Sequence, residues 1–193
     1  MEVNSEPLHS QKVSHDILIE DKFKFEALNP QLNFSVDHFL NLPDEIKMSR
    51  LRFTCGNEGI EYFVHRGIWP LAVRRKIKAV TLSSEAGIHA VMGYCVAPLY
   101  SKALRLKLGI EGNEKIIHLR YLGVDSEYQR QEIGLMLLHM LIDLGQELAA
   151  KDSSYKYIVL EAPTKNACDF YESQGFKKIG LKLNGEVEYA YPL

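Results

Sequence analysis

The sequence lacks any marked excess of charge. Its 23 lysine and arginine residues stand against 25 aspartate and glutamate residues, which gives a formal net charge of -2. Such a chain has no overall electric field to draw it onto nucleic acid or an anionic membrane. We therefore do not expect nucleic acid as a partner, while local basic clusters stay compatible with this balance.

Paired cysteines and long apolar runs are also missing. The three cysteines form no C-x-x-C pair and are odd in number, which fits a reducing compartment, so the cytoplasm is the expected location. The longest apolar run, from Ile133 to Leu144, is too short to span a bilayer and is interrupted by His139 and Asp143. The first residues lack the charged start and apolar core of a signal peptide. We expect no membrane association and no metal site.

What the sequence does contain is the composition of one globular domain. Hydrophobic residues make up 46% and charged residues 25% of the 193 residues, and a single hydrophobic core still grows efficiently at this length. There is no internal repeat, linker or low-complexity block. The sequence therefore predicts a polar tail over residues 1–20 and a single domain over residues 21–193.

Apolar periodicity and turn residues predict alternating strands and helices. Gly56, Asn57 and Gly67 are expected to end a first short helix, to start a second one and to end it. The predicted elements are a strand over 22–28, these two helices within 42–67, a hairpin over 76–100, a partly helical connection over 101–115, a strand over 115–124, a helix over 131–151, a strand over 155–163, a helix over 166–175 and a hairpin over 176–193 turned by Asn184 and Gly185. This order predicts a mixed α/β sheet with helices on its faces.

The stretch EYQRQEIG, residues 127–134, connects a predicted strand to the longest predicted helix. A helix N-terminus presents free N–H groups and a partial positive charge, so this layout favours an anion site. Gly134 in the first turn would let a phosphate approach the backbone without meeting a Cβ, and Arg130 could donate a charged hydrogen bond to it. The alternative is that Gly134 lets the helix pack closely on the sheet.

Two motifs in this order resemble those of the GNAT superfamily of acyl-CoA N-acyltransferases. Gln129, Ile133 and Gly134 sit as in the family's Q-x-x-G-x-G pyrophosphate loop, and NACDFYESQGF (residues 166–176) is similar to its N-x-x-A-x-x-F-Y-x-x-x-G-F segment in compressed form. The resemblance runs from residue 22 to the end of the chain. It implies acetyl-CoA as the acyl donor and a mixed, mostly antiparallel central sheet of about six to seven strands flanked by helices on both faces. Residues 21–193 would then form one N-acetyltransferase domain.

The loop departs from the family pattern at its first glycine, where this chain has Glu132. A glutamate adds a Cβ and a negative charge beside the expected diphosphate, so it should weaken binding, although a side chain turned to solvent is screened. Glutamate also suits the first turn of a helix, because it interacts favourably with the helix dipole. We expect this departure to be tolerated.

The resemblance also implies the contacts to acetyl-CoA. The backbones of Leu122 and Val124 would pair with the pantetheine arm, and the Leu122 N–H would steady the oxyanion of the tetrahedral intermediate. The remaining expected contacts are Gln129, Arg130, Gln131, Glu132, Ile133, Gly134, Leu135 and Asn166. Cys168 lies nearby in sequence and is interpreted as a small buried residue, because the family's transfer is direct.

Acyl transfer to an amine needs a base for the ammonium and an acid for the leaving thiolate. The family's acid is the tyrosine of its F-Y pair, which corresponds to Tyr171; the alternative is a tyrosine packed against the sheet. The family's base often lies on the strand before the loop, which gives His118 as the candidate, with a hydrogen-bonded structural histidine as the alternative. Period-two alternation predicts that His118, Arg120 and Leu122 share one face of that strand.

The sequence leaves the acceptor amine open between three hypotheses. The first and favoured one is a small metabolite amine, the second is a macromolecule such as a protein or an aminoacyl-tRNA, and the third is a non-catalytic acyl-CoA-binding domain. An electropositive groove beside the thioester would favour the second, and an enclosed pocket would oppose it. Exposed strand edges commonly form dimers in such sheets, so a homodimer is one expectation.

Two clusters of basic residues bear on this choice. They would favour an anionic acceptor if they converged, and would otherwise be solvated surface. They consist of Arg74, Arg75, Lys76 and Lys78 close to Trp69, and of Lys102, Arg105 and Lys107.

Overall fold

The computed structural model describes residues 34–98, 102–112 and 114–193. The strands within these ranges are β1 (Ser35–His38), β2 (Lys78–Ser84), β3 (Gly87–Pro98), β4 (Lys115–Val124), β5 (Tyr155–Ala162), β6 (Lys177–Leu181) and β7 (Val187–Pro192). The α-helices are α1 (Asp44–Ser49), α2 (Glu58–Tyr62), α3 (Ile68–Val73), α4 (Lys102–Leu108), α5 (Ile133–Lys151) and α6 (Lys165–Ser173). A π-helical turn over Phe63–Gly67 joins α2 to α3.

The strands form one sheet in the order β1-β2-β3-β4-β5-β7-β6. Neighbouring strands are antiparallel except β4 and β5, which are parallel and are connected through α5. A parallel pair needs such a crossover because its strands run in the same direction. The expected mixed, mostly antiparallel sheet is therefore confirmed, with seven strands in the described part of the chain.

Strands β4 and β5 pair over only part of their length. Their last matched residues are Leu119 and Leu160, whereas β4 continues to Val124. Beyond Leu119, the edge of β4 that faces β5 has no strand partner among the described residues. This separation opens the middle of the sheet and leaves backbone N–H and C=O groups available to a ligand.

Helices cover both faces of the sheet. On the first face, α5 and α6 pack through residues such as Leu137, Leu141 and Tyr171. On the second face, α1 to α3 pack around Phe63, and α4 packs through Leu104 and its neighbours onto β4 to β7. The sheet is thus the middle layer of three.

Helix α5 is long and apolar enough to cross a membrane by length and composition alone, with a mean hydropathy of 1.4 in its most apolar window. The apolar side chains of this helix are instead buried against the sheet. Leu137, Leu138 and Leu141 are fully buried, and Gly145 allows the helix to approach Ile117 and Ile158 of the sheet. The helix therefore buries one broad apolar face against the sheet, while His139, Asp143 and Glu147 are exposed.

Most predicted elements are confirmed, including β4 with its expected bounds and both hairpins. Asn57 caps α2, since its side chain accepts a hydrogen bond from the Ile60 N–H at 3.0 Å.

Gly67 does not end a helix: the chain continues through the π-helical turn into α3, so this prediction is wrong. The short strand β1 was not predicted. The predicted strand over 22–28 lies outside the described residues.

The prediction that His118, Arg120 and Leu122 share one face of β4 is also wrong. Tyr121 pairs with Gly93 and Leu119 with the next residue of β3, so Arg120 is an extra residue in a β-bulge. A bulge reverses the alternation of the residues that follow it. Leu122 therefore packs on the α5 side of the sheet, while His118 points to the side of α1 to α4, where Tyr121 also lies.

Candidate active site

The loop between β4 and α5 is fastened to the segment before α2. Asp125 is buried, and its carboxylate accepts hydrogen bonds from the N–H groups of Thr54 at 2.9 Å and Glu127 at 3.1 Å. The Gln129 side-chain amide donates to the carbonyls of Val124 and Cys55, both at 3.0 Å. The loop is therefore held in place without a ligand, which preorganises its free N–H groups.

Two non-glycine residues of this loop have left-handed backbone conformations, Arg130 with φ 61° and Glu132 with φ 62°. The left-handed region favours glycine because a Cβ meets the following carbonyl there. The φ angle of Glu132 thus gives a local reason why the related sequences have glycine at this position. Glu132 adopts this left-handed conformation although it carries a side chain.

The first N–H groups of α5 are available for an anion. The first bond of the helix runs from the Met136 N–H to the Glu132 carbonyl at 2.9 Å, so the N–H groups of residues 133–135 have no intrahelical partner. They face a cavity of about 370 Å³. Its lining residues are Val124, Tyr128, Gln129, Arg130, Glu132, Ile133, Gly134, Leu135, Phe170 and Gln174. A phosphate group fits the donors and the charge of such a helix end.

Close packing does not explain Gly134. A Cβ built on this residue would lie 3.5 Å from Val124 Cγ2, which is an ordinary van der Waals contact. Gly123 and Gly145 differ, because a Cβ there would lie 2.6 Å from a neighbouring side chain. The space left open by Gly134 therefore belongs to the cavity, as the anion interpretation predicts.

Substitutions at the two loop positions should act in opposite directions. We expect Glu132→Gly to tighten acetyl-CoA binding about three- to tenfold, because a carboxylate near the diphosphate is removed. We expect Gly134→Ala to weaken binding about tenfold, while it stabilises the free protein by about 0.5–1 kcal/mol because alanine is the better helix former. Titration calorimetry with acetyl-CoA and thermal unfolding without ligand measure the two effects separately. Unchanged affinity in Gly134→Ala would contradict the assignment of the loop.

A second cleft, of about 540 Å³, lies where β4 and β5 separate. It is lined from both faces of the sheet and from the N-terminus of α2. Its lining residues are Asn57, Gly59, Ile60, His118, Leu119, Arg120, Tyr121, Leu122, Glu161, Pro163, Thr164, Ala167, Tyr171, Lys182 and Glu186. The structure therefore brings Tyr171, His118 and Leu122 to one cleft, although the bulge places them on different faces of the sheet.

Tyr171 is buried in the core, with its ring against Phe170 and Phe176 at centroid distances of 5.1 and 5.6 Å. Burial raises the pKa of Tyr171 above its usual range, so the phenol stays protonated at physiological pH. Its hydroxyl has no hydrogen-bond partner among the described residues. The ring packs against its aromatic neighbours, as the alternative predicts, and the residue also lines the cleft. Its role as the acid stays a prediction.

His118 is linked to two residues that sequence reasoning missed. Its Nε2 lies 2.9 Å from Glu161 Oε2, and the other carboxylate oxygen accepts a hydrogen bond from Lys182 Nζ at 2.6 Å. Burial would raise the pKa of Glu161, but the hydrogen bonds from His118 and Lys182 outweigh it and hold that pKa at about 2. The cleft therefore contains a permanent carboxylate between an imidazole and an ammonium group.

The signal for Glu161 in the sequence was weak. It is a charged residue near the end of a buried strand, in the run YIVLEA, where a polar residue needs a partner. Its partners lie 43 and 21 residues away in the chain. Lys182 follows β6 in the final hairpin, from which no individual residue is predicted for the site.

Two predicted cofactor contacts are not brought to either cavity. Asn166 lies exposed in the first turn of α6 and lines neither of them. Gln131 is exposed, and its side chain donates to the Glu127 carbonyl at 3.3 Å. The contacts of these residues with acetyl-CoA stay predictions. Cys168 is half-buried in the core of the first face, and no group of metal-ligating side chains is found among the described residues.

The charged side chains of the helices are divided between the two faces of the sheet. Residues 44–76, which include α1 to α3, carry seven basic and four acidic side chains, and α4 carries three basic and none acidic. On the opposite face, residues 125–151 and 165–173 carry seven acidic and three basic side chains. The small net charge of the chain therefore hides a basic face and an acidic face.

The comparisons with known proteins agree with this geometry. Residues 85–178 match the acetyltransferase (GNAT) domain family. A tyrosine-to-phenylalanine variant of the toxin AtaT, bound to the C-terminus of the antitoxin AtaR and acetyl-CoA, is 18% identical, with 83% of this chain and 93% of that chain covered and a TM-score of 0.66. AtaT complexed with acetyl-methionyl-tRNAfMet is 19% identical, with coverages of 83% and 95% and a TM-score of 0.65. No curated protein matches the chain in sequence.

At this level of identity, the likeness to the solved structures is one of fold. Together with the free N–H groups of α5 and the open edge of β4, the family match and the fold show an acetyltransferase domain of the GNAT type over residues 85–178. An acetyltransferase domain of this family takes its acetyl group from acetyl-CoA, in which the group is activated as a thioester.

Proposed function

We propose that this protein acetylates the primary amine of an aminoacyl-tRNA. The observation that carries this proposal is that the cleft with Tyr171 and His118 is lined in part by the N-terminus of α2, on the face of the sheet whose helices carry an excess of basic side chains. Nucleic acid binding draws its affinity from lysine and arginine near phosphates. The solved complex of AtaT with acetyl-methionyl-tRNAfMet, a protein of similar fold, supports the same class of acceptor.

We did not expect nucleic acid as a partner because the net charge of the chain is close to zero. The helices on one face of the sheet nevertheless carry an excess of basic side chains, so the net charge does not argue against nucleic acid binding at that face. The two basic clusters identified in the sequence do not converge in the cleft, since none of their residues lines it. They lie after α3 and on α4, where they would contact phosphates while the aminoacyl end enters the cleft. A polyanion large enough to reach both regions fits this arrangement better than a small molecule does.

The residues of the cleft suit the transfer of an acetyl group to an amine. The acceptor ammonium binds at Glu161, and one proton passes from the ammonium to His118 beside the same carboxylate, which leaves a neutral nucleophile. The amine attacks the thioester carbonyl while the Leu122 N–H stabilises the developing oxyanion. Tyr171 then donates its proton to the leaving thiolate.

A small amine is the second candidate. Two carboxylates, Glu161 and Glu186, line the cleft and could pair with a compact di- or polyamine. The size of the cleft, about 540 Å³, is that of a small-molecule site. Acetylation of polyamines without acetylation of aminoacyl-tRNA would favour this candidate over the first.

The direct test is transfer of labelled acetyl from acetyl-CoA to a mixture of aminoacyl-tRNAs, beside deacylated tRNA and a panel of small amines. We expect acetyl-aminoacyl-tRNA to form and deacylated tRNA to stay unlabelled. We also expect kcat/KM to fall steeply with salt, because bound counterions are released from the phosphates. Acetylation of free amines alone would overturn the proposal.

Charge reversal on the basic face tests the same proposal at named residues. We expect Arg74→Glu combined with Lys76→Glu to lower kcat/KM for aminoacyl-tRNA by about tenfold or more and to flatten its salt dependence, because two exposed cations beside the phosphates are replaced by anions. Lys151→Glu combined with Lys156→Glu, at the exposed far end of α5 and the start of β5, is the matched control. Equal losses in both double variants would contradict a specific basic face.

A further inference from the structure

Lys182 places a primary amine inside the cleft that holds the catalytic groups. It begins the turn between β6 and β7, where its backbone N–H donates to the Glu186 carbonyl at 2.8 Å. Its ammonium lies 2.6 Å from Glu161 Oε1, and its side chain lines the same cleft as Tyr171 and His118. The side chain is 39% exposed, so it is free to change rotamer.

An acceptor amine needs two things from the protein besides the donor. It needs a counter-ion that binds its ammonium, and it needs a path for one proton. Glu161 provides the counter-ion to Lys182, and His118, 2.9 Å from the other oxygen of the same carboxylate, completes the path. Lys182 thus occupies the position that we assign to the ammonium of the acceptor.

We propose that Lys182 is acetylated by the protein's own active site. Its ammonium gives one proton to the Glu161 and His118 pair, and the neutral nitrogen forms a bond to the thioester carbonyl carbon. The C–S bond then breaks, the sulfur leaves with the bonding electrons, and Tyr171 protonates it. The nitrogen loses its second proton as the amide forms, and this proton restores the phenol of Tyr171. The products are N-acetyl-lysine, free CoA and one proton, which passes from the imidazole to solvent.

Other lysines of the same region do not meet these conditions. Lys177 and Lys178 are exposed on β6 and do not line the cleft. Lys107 of α4 is paired with Glu188 outside the cleft. Proximity to a bound donor can accelerate transfer by many orders of magnitude over reaction from solution. Lys182 should therefore react selectively.

The inference goes beyond the proposed acceptor, because it needs acetyl-CoA alone. The experiment incubates the purified protein with acetyl-CoA and follows each lysine by peptide mass spectrometry over time. We expect Lys182 to be labelled at least about a hundredfold faster than Lys178, its control in the same hairpin. We expect labelling of Lys182, but not of Lys178, to fall to the chemical background in Tyr171→Phe.

Mixing separates reaction within one molecule from reaction between molecules. Natural protein is added to Tyr171→Phe protein that carries a heavy-isotope label, so that the peptides of the two proteins differ in mass. Lys182 of the Tyr171→Phe protein should stay unacetylated if each site modifies its own lysine. Labelling of Lys182 at the rate of Lys178, or at the same rate in Tyr171→Phe as in the natural protein, would overturn the inference. Labelled aminoacyl-tRNA with unmodified Lys182 would overturn self-acetylation alone, and labelled Lys182 without labelled aminoacyl-tRNA would overturn the proposed acceptor alone.

Discussion

Replacing Tyr171 with phenylalanine is expected to lower kcat about 10²- to 10⁴-fold, the usual contribution of a positioned general acid. The thiolate would then leave without a proton from the protein. Binding of acetyl-CoA should change little, because the aromatic ring and its packing remain. Single-turnover kinetics with acetyl-CoA and calorimetric titration measure these two quantities.

The stability of the Tyr171→Phe variant separates this effect from damage to the core. The hydroxyl has no hydrogen-bond partner among the described residues, so its removal leaves no buried donor or acceptor unpaired. The free energy of unfolding should therefore stay unchanged or rise slightly. Tyr94, whose burial raises its pKa to about 12, is the matched control, because Tyr94→Phe also removes a buried hydroxyl but lies outside the cleft. Full activity in Tyr171→Phe would exclude the residue as the acid.

Replacing Glu161 with glutamine is expected to lower kcat/KM about a hundredfold, because the acceptor ammonium loses its counter-ion and the proton path to His118 is broken. Steady-state kinetics with the acceptor varied at saturating acetyl-CoA measure this loss. Unchanged kcat/KM in Glu161→Gln would contradict the role of this carboxylate.

The same variant has a predictable effect on acid stability. The pKa of Glu161 is about 2, below the ordinary value of 4.5, so the carboxylate contributes stability that is present above about pH 4.5 and is lost as the pH falls through about 2. In Glu161→Gln, the free energy of unfolding should not show this loss between pH 4.5 and pH 2. Urea unfolding at pH 7 and at pH 3 measures the free energy of unfolding of both proteins. An equal stability difference between variant and natural protein at both pH values would contradict the assignment.

The loop before α5 and the place of Tyr171 in the cleft could be predicted because their signals are local. Tyr171 belongs to a continuous motif, and Gly134 stands at a fixed distance from the end of β4. Glu161 and Lys182 could not be predicted in the same way, because their contacts join residues 43 and 21 positions apart. The error over Arg120 has the same origin, since a β-bulge depends on how β4 pairs with β3.

The sequence by itself determined the kinds of most elements, their order and the position of the loop before α5. Period, caps and turn residues act within a few neighbours, so a single chain displays them. Only the tertiary structure decided where β4 and β5 part, that His118 meets Glu161 and Lys182 there, and that the basic and acidic helices lie on opposite faces. These features depend on strand pairing and on which face each helix covers, and no local pattern encodes either of them.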